Sequence, residues 1–382
     1  MDQENLSRKK LAWLALRSVA GIGPISARRL LDAFGSPEAV LRAGPALLRR
    51  VEGLSARMID SLASPGRLEE AQQEWSKLRD LGAEISTPDD PDYPARLREI
   101  PDPPLILTRK GTFLPRDTAA VAIVGARRAS PFGLSLAQQF GRELAAMGFT
   151  VVSGLARGID AAAHRGAVSA GGRTIGVLGC GIDVVYPREH GPLLAAVAAH
   201  GAVVTELPCG TPPDPSNFPQ RNRIISGLSM GVVVVEAAPD SGSLITARLA
   251  LEQGREVFAV PGRPGMPLSK GPHALIRQGA VLVESASEVA DALRPQAEGV
   301  TLHASPLRPP ATVSLTPAEQ GVYASLSADP KHIDRISAEL GRPIREVAPI
   351  LTMLEMKGAV EQMDGKRFVS LPVIPAGETR SS

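Results

Sequence analysis

An aromatic ring, two guanidinium groups and a carboxamide lie close together in the segment FPQRNR. They belong to Phe218, Arg221, Asn222 and Arg223. Guanidinium forks pair with phosphate oxygens, and an aromatic face stacks on a flat base without demanding its identity. The segment is polar and basic, and we interpret it as a loop between apolar strands. These groups suit a polyanion that carries flat bases, although a core position is the alternative for Phe218.

Two further arginines follow predicted strands of a parallel sheet. The strand AIVG leads into the segment GARRAS, which contains Arg127, and RTIGVLG is followed by a polar segment that contains Arg188. Because the carboxyl ends of parallel strands meet at one edge, both arginines are expected there with Arg221 and Arg223. At each single position a solvated side chain is the alternative. Their repeated placement favours an anion-binding surface.

The start of a predicted helix adds another group that can hold a phosphate. The helix begins at about Leu244 and follows Ser241, Gly242 and Ser243. Free backbone amides and the helix dipole favour an anion at such an N-terminus. We therefore include these three residues in the predicted ligand surface.

Several nucleotide-binding signatures are absent from the sequence. The segment GARRAS does not match GxGxxG, because Arg127 and Arg128 stand where a dinucleotide needs close backbone approach. The chain also lacks GxxxxGK[ST] and the PGGxGT arrangement of nucleotide phosphoribohydrolases. These absences favour a protein that holds a nucleotide over one that cleaves it. A nucleotide-binding or phosphoribohydrolase-like enzyme remains the alternative.

No residue is assigned a catalytic role. Asp160 is expected to cap the helix that follows SGLARG, with Arg157 as a candidate partner. His164 could act as a general base, but no second carboxylate or nucleophile lies at a suitable spacing. Cys180 and Cys209 stand far apart, with no CxxC or histidine cluster, so neither a zinc site nor a disulfide framework is predicted. We expect no metal and no cofactor.

Length and composition indicate a globular protein of two or three domains. The chain has 382 residues, of which 43% are hydrophobic and 21% charged. The formal net charge of only +2 excludes a uniformly basic surface, so a nucleic-acid site must be a local cluster of arginines. The N-terminus is a poor signal peptide and no apolar run is long enough to cross a bilayer. A cytoplasmic protein without membrane contact is expected.

The hydrophobic pattern changes along the chain and predicts an α/β protein with flanking helical domains. The central part alternates buried strands with helices, which is typical of a Rossmann-like, mostly parallel sheet. The predicted segments are a helical domain at 1–86, an α/β domain with a Pro-rich connector at 87–293, a linker at 294–313, a winged helix at 314–373 and a flexible tail at 374–382. In the first segment, GIGPISARRLL resembles a helix-hairpin-helix, or SAM-like, unit. Phosphate contact and pure scaffolding both remain open for it.

Six motifs in order carry a resemblance that spans most of the chain. They are VGARRASPFG, SGLARGIDAAAH, TIGVLGCGIDVVYPREH, FPQRNRIISGLS, VVVVEAAPDSGSLITARLALEQGREVFAVPG and GPHALIRQGA. Together they resemble the DprA (Smf) family of DNA-processing proteins, and the flanking domains fit its longer members. The resemblance implies a recombination mediator that binds and protects incoming single-stranded DNA and loads RecA during natural transformation, with no required catalytic step. It also implies a homodimer formed through the α/β domain.

The resemblance also implies which residues line the DNA site. They are Arg127, Arg188, Phe218, Arg221, Asn222 and Arg223, with Ser241, Gly242 and Ser243 nearby. The C-terminal winged helix is a weaker candidate, because residues 311–373 hold 7 Lys/Arg against 8 Asp/Glu. We expect it to bind protein or duplex DNA in an auxiliary role, while the α/β domain supplies most of the single-strand affinity.

Overall fold

The computed structural model describes residues 3–64, 66–297, 312–327, 331–363, 365–370 and 374–375. The α-helices are α1 (Gln3–Arg17), α2 (Pro24–Phe34), α3 (Pro37–Arg42), α4 (Pro45–Leu48), α5 (Ala56–Leu62), α6 (Arg67–Asp80), α7 (Ala95–Arg98), α8 (Pro131–Ala146), α9 (Ile159–Ser169), α10 (Gly191–His200), α11 (Asn217–Leu228), α12 (Gly242–Glu252), α13 (Lys270–Arg277), α14 (Ala286–Leu293), α15 (Pro317–Ala324), α16 (Ile333–Leu340) and α17 (Ile344–Met356).

The strands are β1 (Glu84–Ser86), β2 (Leu107–Gly111), β3 (Ala120–Val124), β4 (Thr150–Ser153), β5 (Thr174–Val177), β6 (Ala202–Thr205), β7 (Gly231–Val234), β8 (Glu256–Ala259), β9 (Val281–Leu282), β10 (Thr312–Val313), β11 (Lys331–His332), β12 (Val360–Met363), β13 (Arg367–Ser370) and β14 (Ile374–Pro375). Short 3₁₀ helices occupy Pro115–Thr118, Arg188–His190, Pro267–Ser269 and Arg294–Ala297.

The N-terminal segment folds as helices around a small apolar core. Trp13, Leu14, Leu16 and Leu30 are buried there. Helix α2 begins with a proline, whose missing N–H costs nothing at that position, and ends at Gly35, a left-handed residue whose N–H caps the helix. The predicted all-α segment is confirmed up to α6. Its end was misjudged, since β1 belongs to the central sheet.

The central sheet has nine strands within the described residues, in the order β1-β2-β6-β5-β4-β3-β7-β8-β9. All neighbouring strands from β6 through β5, β4, β3, β7 and β8 to β9 pair in parallel. Strand β2 pairs antiparallel with both β1 and β6. The mostly parallel, Rossmann-like prediction is confirmed. The Pro-rich connector contributes β2, whose Leu107 and Thr108 are buried, so this connector is partly a sheet element.

Helices cover both faces of the sheet, which explains why its central strands are uniformly apolar. Helices α8, α9 and α14 pack on one face with core residues such as Phe140 and Leu144. Helices α11, α12 and α13 pack on the other face with residues such as Ile224 and Leu275. The loops that leave β3, β4, β5 and β7 therefore meet at one carboxyl edge, between the two helical layers.

The segment FPQRNR is helical, and the prediction of a loop was wrong. It forms the first half of α11, with Pro219 in the first turn, where a proline is tolerated. Helical spacing places Phe218, Arg221, Asn222 and Ile225 on one face, because residues three and four apart are neighbours. Arg223 then projects from a different side of α11. The segment is polar because several of its side chains line the groove, and this polarity does not mark a loop.

The C-terminal segment forms the predicted winged helix. Helices α15, α16 and α17 surround a core that includes Val322, Ile336 and Leu351, and β12 pairs with β13 as the wing. Asp364, most of the predicted linker (298–311) and most of the predicted tail (376–382) lie outside the described residues. Strands β10 and β14, at the end of the linker and the start of the tail, pair in parallel.

Candidate nucleic-acid interface

A groove of about 550 Å³ lies at the carboxyl edge of the sheet, beside the predicted site residues. We call it the α11 groove. The loop after β3, the N-terminal half of α11 and the start of α12 form its walls. Its lining includes Gly125, Arg127, Arg128, Asp160, Phe218, Arg221, Asn222, Ile225, Asp240, Ser241, Gly242 and Ser243. Seven of the nine predicted site residues are thus brought together, and Arg188 and Arg223 are not among the lining.

Arg127 and Phe218 form a cation–aromatic pair at the mouth of the groove. The Arg127 guanidinium carbon lies 4.7 Å from the centre of the Phe218 ring. The Phe218 ring is half-buried, and its centre lies 5.7 Å from that of Tyr186. Arg127 is exposed and forms no ion pair with any residue the structure describes. The arrangement presents an unpaired guanidinium next to a partly accessible aromatic ring.

Arg221 forms the floor of the groove instead of its surface. Its side chain is buried and donates hydrogen bonds to the carbonyl oxygens of Gly154, at 2.7 Å, and Val177. Burial lowers the pKa of Arg221 to about 10, while the neighbouring Asp160 carboxylate acts in the opposite direction. The guanidinium therefore remains charged at neutral pH. It ties the loops after β4 and β5 to α11.

Arg223 is buried and pairs with two half-buried carboxylates outside the groove. Its guanidinium lies 2.5 Å from Glu206 and 3.1 Å from Asp102. Burial raises the pKa of the Glu206 carboxyl, and the charge of Arg223 opposes that rise. Arg223 thus anchors α11 to the loop after β6 and to the connector before β2. This geometry assigns it a positioning contact that the sequence pattern did not distinguish from a ligand contact.

The first turn of α12 closes one side of the groove. The Nδ2 of Asn222 donates a hydrogen bond to the Gly242 carbonyl at 3.2 Å, which joins α11 to this turn. The Ser241 hydroxyl accepts from the Ser243 amide at 3.4 Å and lies 2.8 Å from the Ser243 hydroxyl. The cap of α12 is therefore neutral. Its positive helix end is left for an external anion.

The helix ends on the other face of the sheet already hold carboxylates from the chain itself. Glu236 accepts hydrogen bonds from the amide of Ser130 at 2.8 Å and from its hydroxyl at 2.5 Å, at the start of α8. Asp160 accepts from the amides of Gly154, at 3.1 Å, and Ala156, at 3.4 Å, in the loop before α9. At the start of α12, by contrast, no carboxylate of the described residues accepts a hydrogen bond from the helix amides.

The predicted roles of Asp160 and its partner need correction. Asp160 lies in the first turn of α9, one residue past its first position, and Gly158 occupies the cap. Arg157 pairs with Glu189 at 2.5 Å instead of with Asp160. Burial raises the pKa of the Asp160 carboxyl, against the effect of the neighbouring Arg221. The Asp160 carboxyl accepts hydrogen bonds from loop amides and lies near the Arg221 guanidinium, so its role is to stabilise the fold.

His164 is placed where it cannot exchange protons with a ligand. It is fully buried in α9, and its Nδ1 lies 2.7 Å from the Thr174 hydroxyl. Burial lowers the pKa of His164 to about 3, so the ring is neutral at physiological pH. Burial likewise raises the pKa of Cys180 to about 11. Within the described residues, no His, Cys, Asp and Glu side chains cluster as metal ligands.

Arg188 is not among the residues that line the groove. It is exposed in the 3₁₀ turn Arg188–His190, where the His190 Nδ1 lies 3.0 Å from the carbonyl oxygen of Leu155. This contact fixes the turn to the loop after β4. Tyr186, which touches the Phe218 ring, is two residues away in sequence. Arg188 is therefore an exposed cation close in sequence to a residue that contacts Phe218.

Sequence reasoning left out two residues that the structure brings to this surface. Arg128 lines the groove, is exposed, and forms no ion pair within the described ranges. Its position after Arg127 at a strand end was a usable signal. Tyr186 contacts Phe218 across a long sequence distance, and no local pattern indicates such a contact.

Among the described helices, none is long and apolar enough to span a membrane.

Family models match three parts of the chain. A model described as DNA recombination-mediator protein A matches residues 84–294. A DprA winged helix domain model matches residues 306–366, and a SAM-like helix-hairpin-helix tandem model matches residues 14–64.

Individual relatives cover much of the same length. Protein Smf of Synechocystis is 35% identical over 93% of this chain and 97% of its own. Protein Smf of Escherichia coli is 42% identical over 72% of this chain and 74% of its own. The X-ray structure of DNA processing protein A from Streptococcus pneumoniae aligns with a TM-score of 0.62 and 33% identity, over 74% of this chain and 97% of that one. DNA processing protein A from Helicobacter pylori, solved to study its single-stranded DNA binding mode, aligns with a TM-score of 0.50 and 30% identity, over 56% and 97%.

Proposed function

This chain belongs to the DprA (Smf) family of DNA-processing proteins, and from that premise we propose that it binds single-stranded DNA in the α11 groove without sequence preference. The Helicobacter pylori relative, which has a single-stranded DNA binding mode, supports the choice of ligand. In this proposal, binding protects incoming strands and delivers them to the RecA recombinase during natural transformation. The ligand-binding step is the one that the groove's own chemistry supports.

The observation that carries the proposal is the unpaired Arg127 guanidinium above the Phe218 ring. A phosphate can pair with the guanidinium while a neighbouring base contacts the exposed part of the ring. Arg128 and Arg188 are also exposed, and each forms no ion pair with a residue in the described ranges. Both can neutralise further phosphates along the same strand. None of these groups recognises a particular base edge, so binding is expected to be independent of sequence.

Of the remaining predicted residues, some can contact a phosphate and others hold α11 and the start of α12 in position. The neutral cap at Ser241 leaves the start of α12 available for a phosphate, and Asn222 fixes that turn to α11. Arg221 and Arg223 are buried and hold α11 in place from two sides. We therefore assign the direct contacts to the exposed arginines, Phe218 and the start of α12.

The carboxylates near the groove favour holding a ligand over cleaving it. Asp160 is engaged by two amides and lies beside Arg221, and Glu236 is engaged by Ser130. Neither is poised to activate a water on a bound nucleotide. We expect no release of base or phosphate from nucleoside monophosphates incubated with the purified protein. Turnover that disappears in Asp160→Asn or Glu236→Gln would establish the phosphoribohydrolase-like alternative.

The direct test is a salt titration of binding to labelled oligonucleotides by fluorescence anisotropy. We expect single strands to bind more tightly than duplexes, with affinity falling linearly as log salt rises. Arg127→Ala should weaken binding about ten- to one-hundredfold, since a charge-assisted hydrogen bond is worth about 1.5–3 kcal/mol. Arg294→Ala, which removes an exposed arginine paired with Asp291, is the matched control and should bind normally. Salt-insensitive binding, or none, would contradict the proposal.

Homodimerisation through the Rossmann-like domain is part of the same proposal. The edge strand β9 leaves Val281 and Leu282 exposed at 44% and 47%, and Leu251 on α12 is 57% exposed. An uncovered apolar edge strand is a ready site for pairing with a second copy. A dimer would join two grooves into a longer path for one strand. We expect Val281→Glu to shift the protein from dimer to monomer in analytical ultracentrifugation.

Delivery to RecA is tested by following filament assembly on single-stranded DNA. The protein is expected to shorten the lag before RecA assembles, and Arg127→Ala should lose this effect at concentrations where it no longer binds the strand. Direct association with RecA is measured separately without DNA. Unchanged assembly in the presence of a protein that binds DNA normally would limit the function to strand binding and protection.

A further inference from the structure

Phe132 is an exposed aromatic residue close to the α11 groove in sequence. The chain has 2 Trp, 3 Tyr and 8 Phe, and all of them fall within the described ranges. Among these thirteen, Phe132 alone is classed as exposed, with 53% of its surface accessible. Single exposed apolar side chains are common on protein surfaces. Its exposure therefore matters only because of what lies next to it.

Hydrogen bonds fix the first turn of α8, which carries Phe132, at the carboxyl edge of the sheet. Phe132 is in the first turn of α8, between Ser130 and Gly133. The Ser130 hydroxyl accepts from the Gly133 amide at 3.0 Å, while the Ser130 amide and hydroxyl both donate to Glu236 at the end of β7. Gly133 also packs so closely on Glu236 that a Cβ there would come within 2.4 Å of its carboxyl carbon. The backbone that carries the ring is therefore already ordered before a ligand stacks on it.

Phe132 follows a set of aromatic and basic groups at the carboxyl edge of the sheet, because α8 begins directly after the loop that leaves β3. Tyr186 contacts Phe218, whose ring is 4.7 Å from the Arg127 guanidinium. Arg128 follows directly and is exposed and without an ion pair to any described residue. Phe132 comes four residues later, at the start of α8. These groups belong to the loops after β5 and β3 and to the starts of α11 and α8.

We propose that Phe132 is a second base-stacking platform, which extends the single-stranded DNA path from the α11 groove over Arg128 to the start of α8. The inference rests on the proposed function. The occupant is an unpaired base, because the adjacent unpaired cations select a polyanion and a flat exposed ring on a rigid turn matches a base face. A strand bound in this way places one base near Phe218 and a later base on Phe132, with phosphates at Arg127 and Arg128 between them.

The first experiment compares oligodeoxythymidylates of about 4 to about 16 nucleotides on wild type, Phe132→Ala and Phe132→Leu. Strands long enough to reach α8 should bind Phe132→Ala about five- to one-hundredfold more weakly, and the shortest strands should bind it equally well. Phe132→Leu should recover little, since it keeps apolar area without a stacking face. The salt dependence should be unchanged in Phe132→Ala, whereas Arg128→Ala should reduce the slope by about 0.7. Leu114→Ala, at another exposed apolar position, is the control.

A second readout follows the ring itself. The two native tryptophans are Trp13, which is buried, and Trp75, which is half-buried, and both lie in the N-terminal helical domain. In Phe132→Trp, the added fluorescence should be quenched by long oligonucleotides and unaffected by the shortest ones. This variant keeps an aromatic ring, so it also tests the inference if truncation disturbs the fold.

The outcomes separate the inference from the proposed function. If Arg127→Ala weakens binding but Phe132→Ala matches wild type at every length, the platform is refuted and the proposed function stands. If wild type binds no single-stranded DNA, the proposed function itself fails. If Phe132→Ala binds DNA normally but loses its effect on RecA assembly, the ring contacts protein, and the platform is again refuted.

Discussion

Arg127 and Arg221 lie in the same groove but have opposite relations to solvent. Arg127 is exposed and unpaired with any described residue, whereas Arg221 is buried beneath the groove and donates to main-chain carbonyls. A buried cation next to Asp160 cannot be removed without leaving that carboxylate uncompensated. The two arginines should therefore affect different properties of the protein.

We expect Arg221→Ala to lower the free energy of unfolding by about 3–5 kcal/mol, as for other broken buried charge pairs. Arg127→Ala should change it by no more than about 0.5 kcal/mol, because it alters an exposed side chain. Urea denaturation of both variants measures the difference, alongside their affinities for single-stranded DNA. An Arg221→Ala protein with wild-type stability but no DNA binding would show instead that Arg221 contacts the strand.

His164 gives the fold a defined response to acid. Its pKa in the folded protein is about 3, below the value of about 6.5 in an unfolded chain, so the unfolded state binds the extra proton. Stability is therefore lost as pH falls below 6.5, by about 1.4 kcal/mol per pH unit, or about 2 kcal/mol at pH 5. His164→Asn should lose less stability than wild type between pH 7.5 and pH 5. If urea denaturation shows that wild type and His164→Asn lose the same stability between pH 7.5 and pH 5, this account is contradicted.

At the scale of elements, α11 decides what each residue of FPQRNR does. In a loop, Arg221 and Arg223 would both be free to reach a ligand. In a helix they project from different sides, one toward the groove floor and the other toward Glu206 and Asp102. The anchor at Arg223 is therefore a property of α11, and its energy is shared between the helix and the loops that it joins.

We expect Arg223→Ala to destabilise the protein by about 1.5–3 kcal/mol, because the half-buried Glu206 loses a charge-assisted hydrogen bond. In a Glu206→Gln background the same substitution should cost clearly less, since no carboxylate remains at that position. A double-mutant cycle by urea denaturation measures this coupling. Additive costs of the two changes would indicate that the pair contributes nothing beyond its separate packing.

The position of the sheet elements could be predicted from the sequence because buried parallel strands are continuous apolar runs. For example, β7 is the run Gly231–Val234, in which three valines follow one another. The same criterion did not identify α11 as a helix, because the side of α11 that faces the groove carries polar side chains. The signals were present in the spacing of Phe218, Asn222 and Ile225 and in the need for a helical crossover between parallel strands. The buried partners of Arg223 could not be foreseen, because Glu206 and Asp102 are brought to it only by the folded topology.

At the scale of the whole molecule, cations are concentrated locally on a nearly neutral chain. The net charge is +2 over 382 residues, yet Arg127, Arg128 and Arg188 are exposed along one edge of the sheet. We expect longer-range attraction of DNA to come from this edge, because the other residues together carry a formal net charge of −1, that is +2 minus these three arginines. The winged helix carries no such excess, with 7 Lys/Arg against 8 Asp/Glu over residues 311–373.

A chain that ends at Ala297 should therefore keep most of its affinity for single-stranded DNA. The winged helix has its own core, around Val322 and Leu351, so its removal leaves the packing of the sheet intact. Its outer helix α17 exposes Met353 and Met356 at 45% and 78%, which suits contact with protein better than with phosphate. We expect less than a tenfold change in Kd by anisotropy, with the salt dependence preserved. A larger loss would place a substantial part of the strand-binding surface on the winged helix, and a reduced salt slope would show that its few lysines and arginines contact phosphates after all.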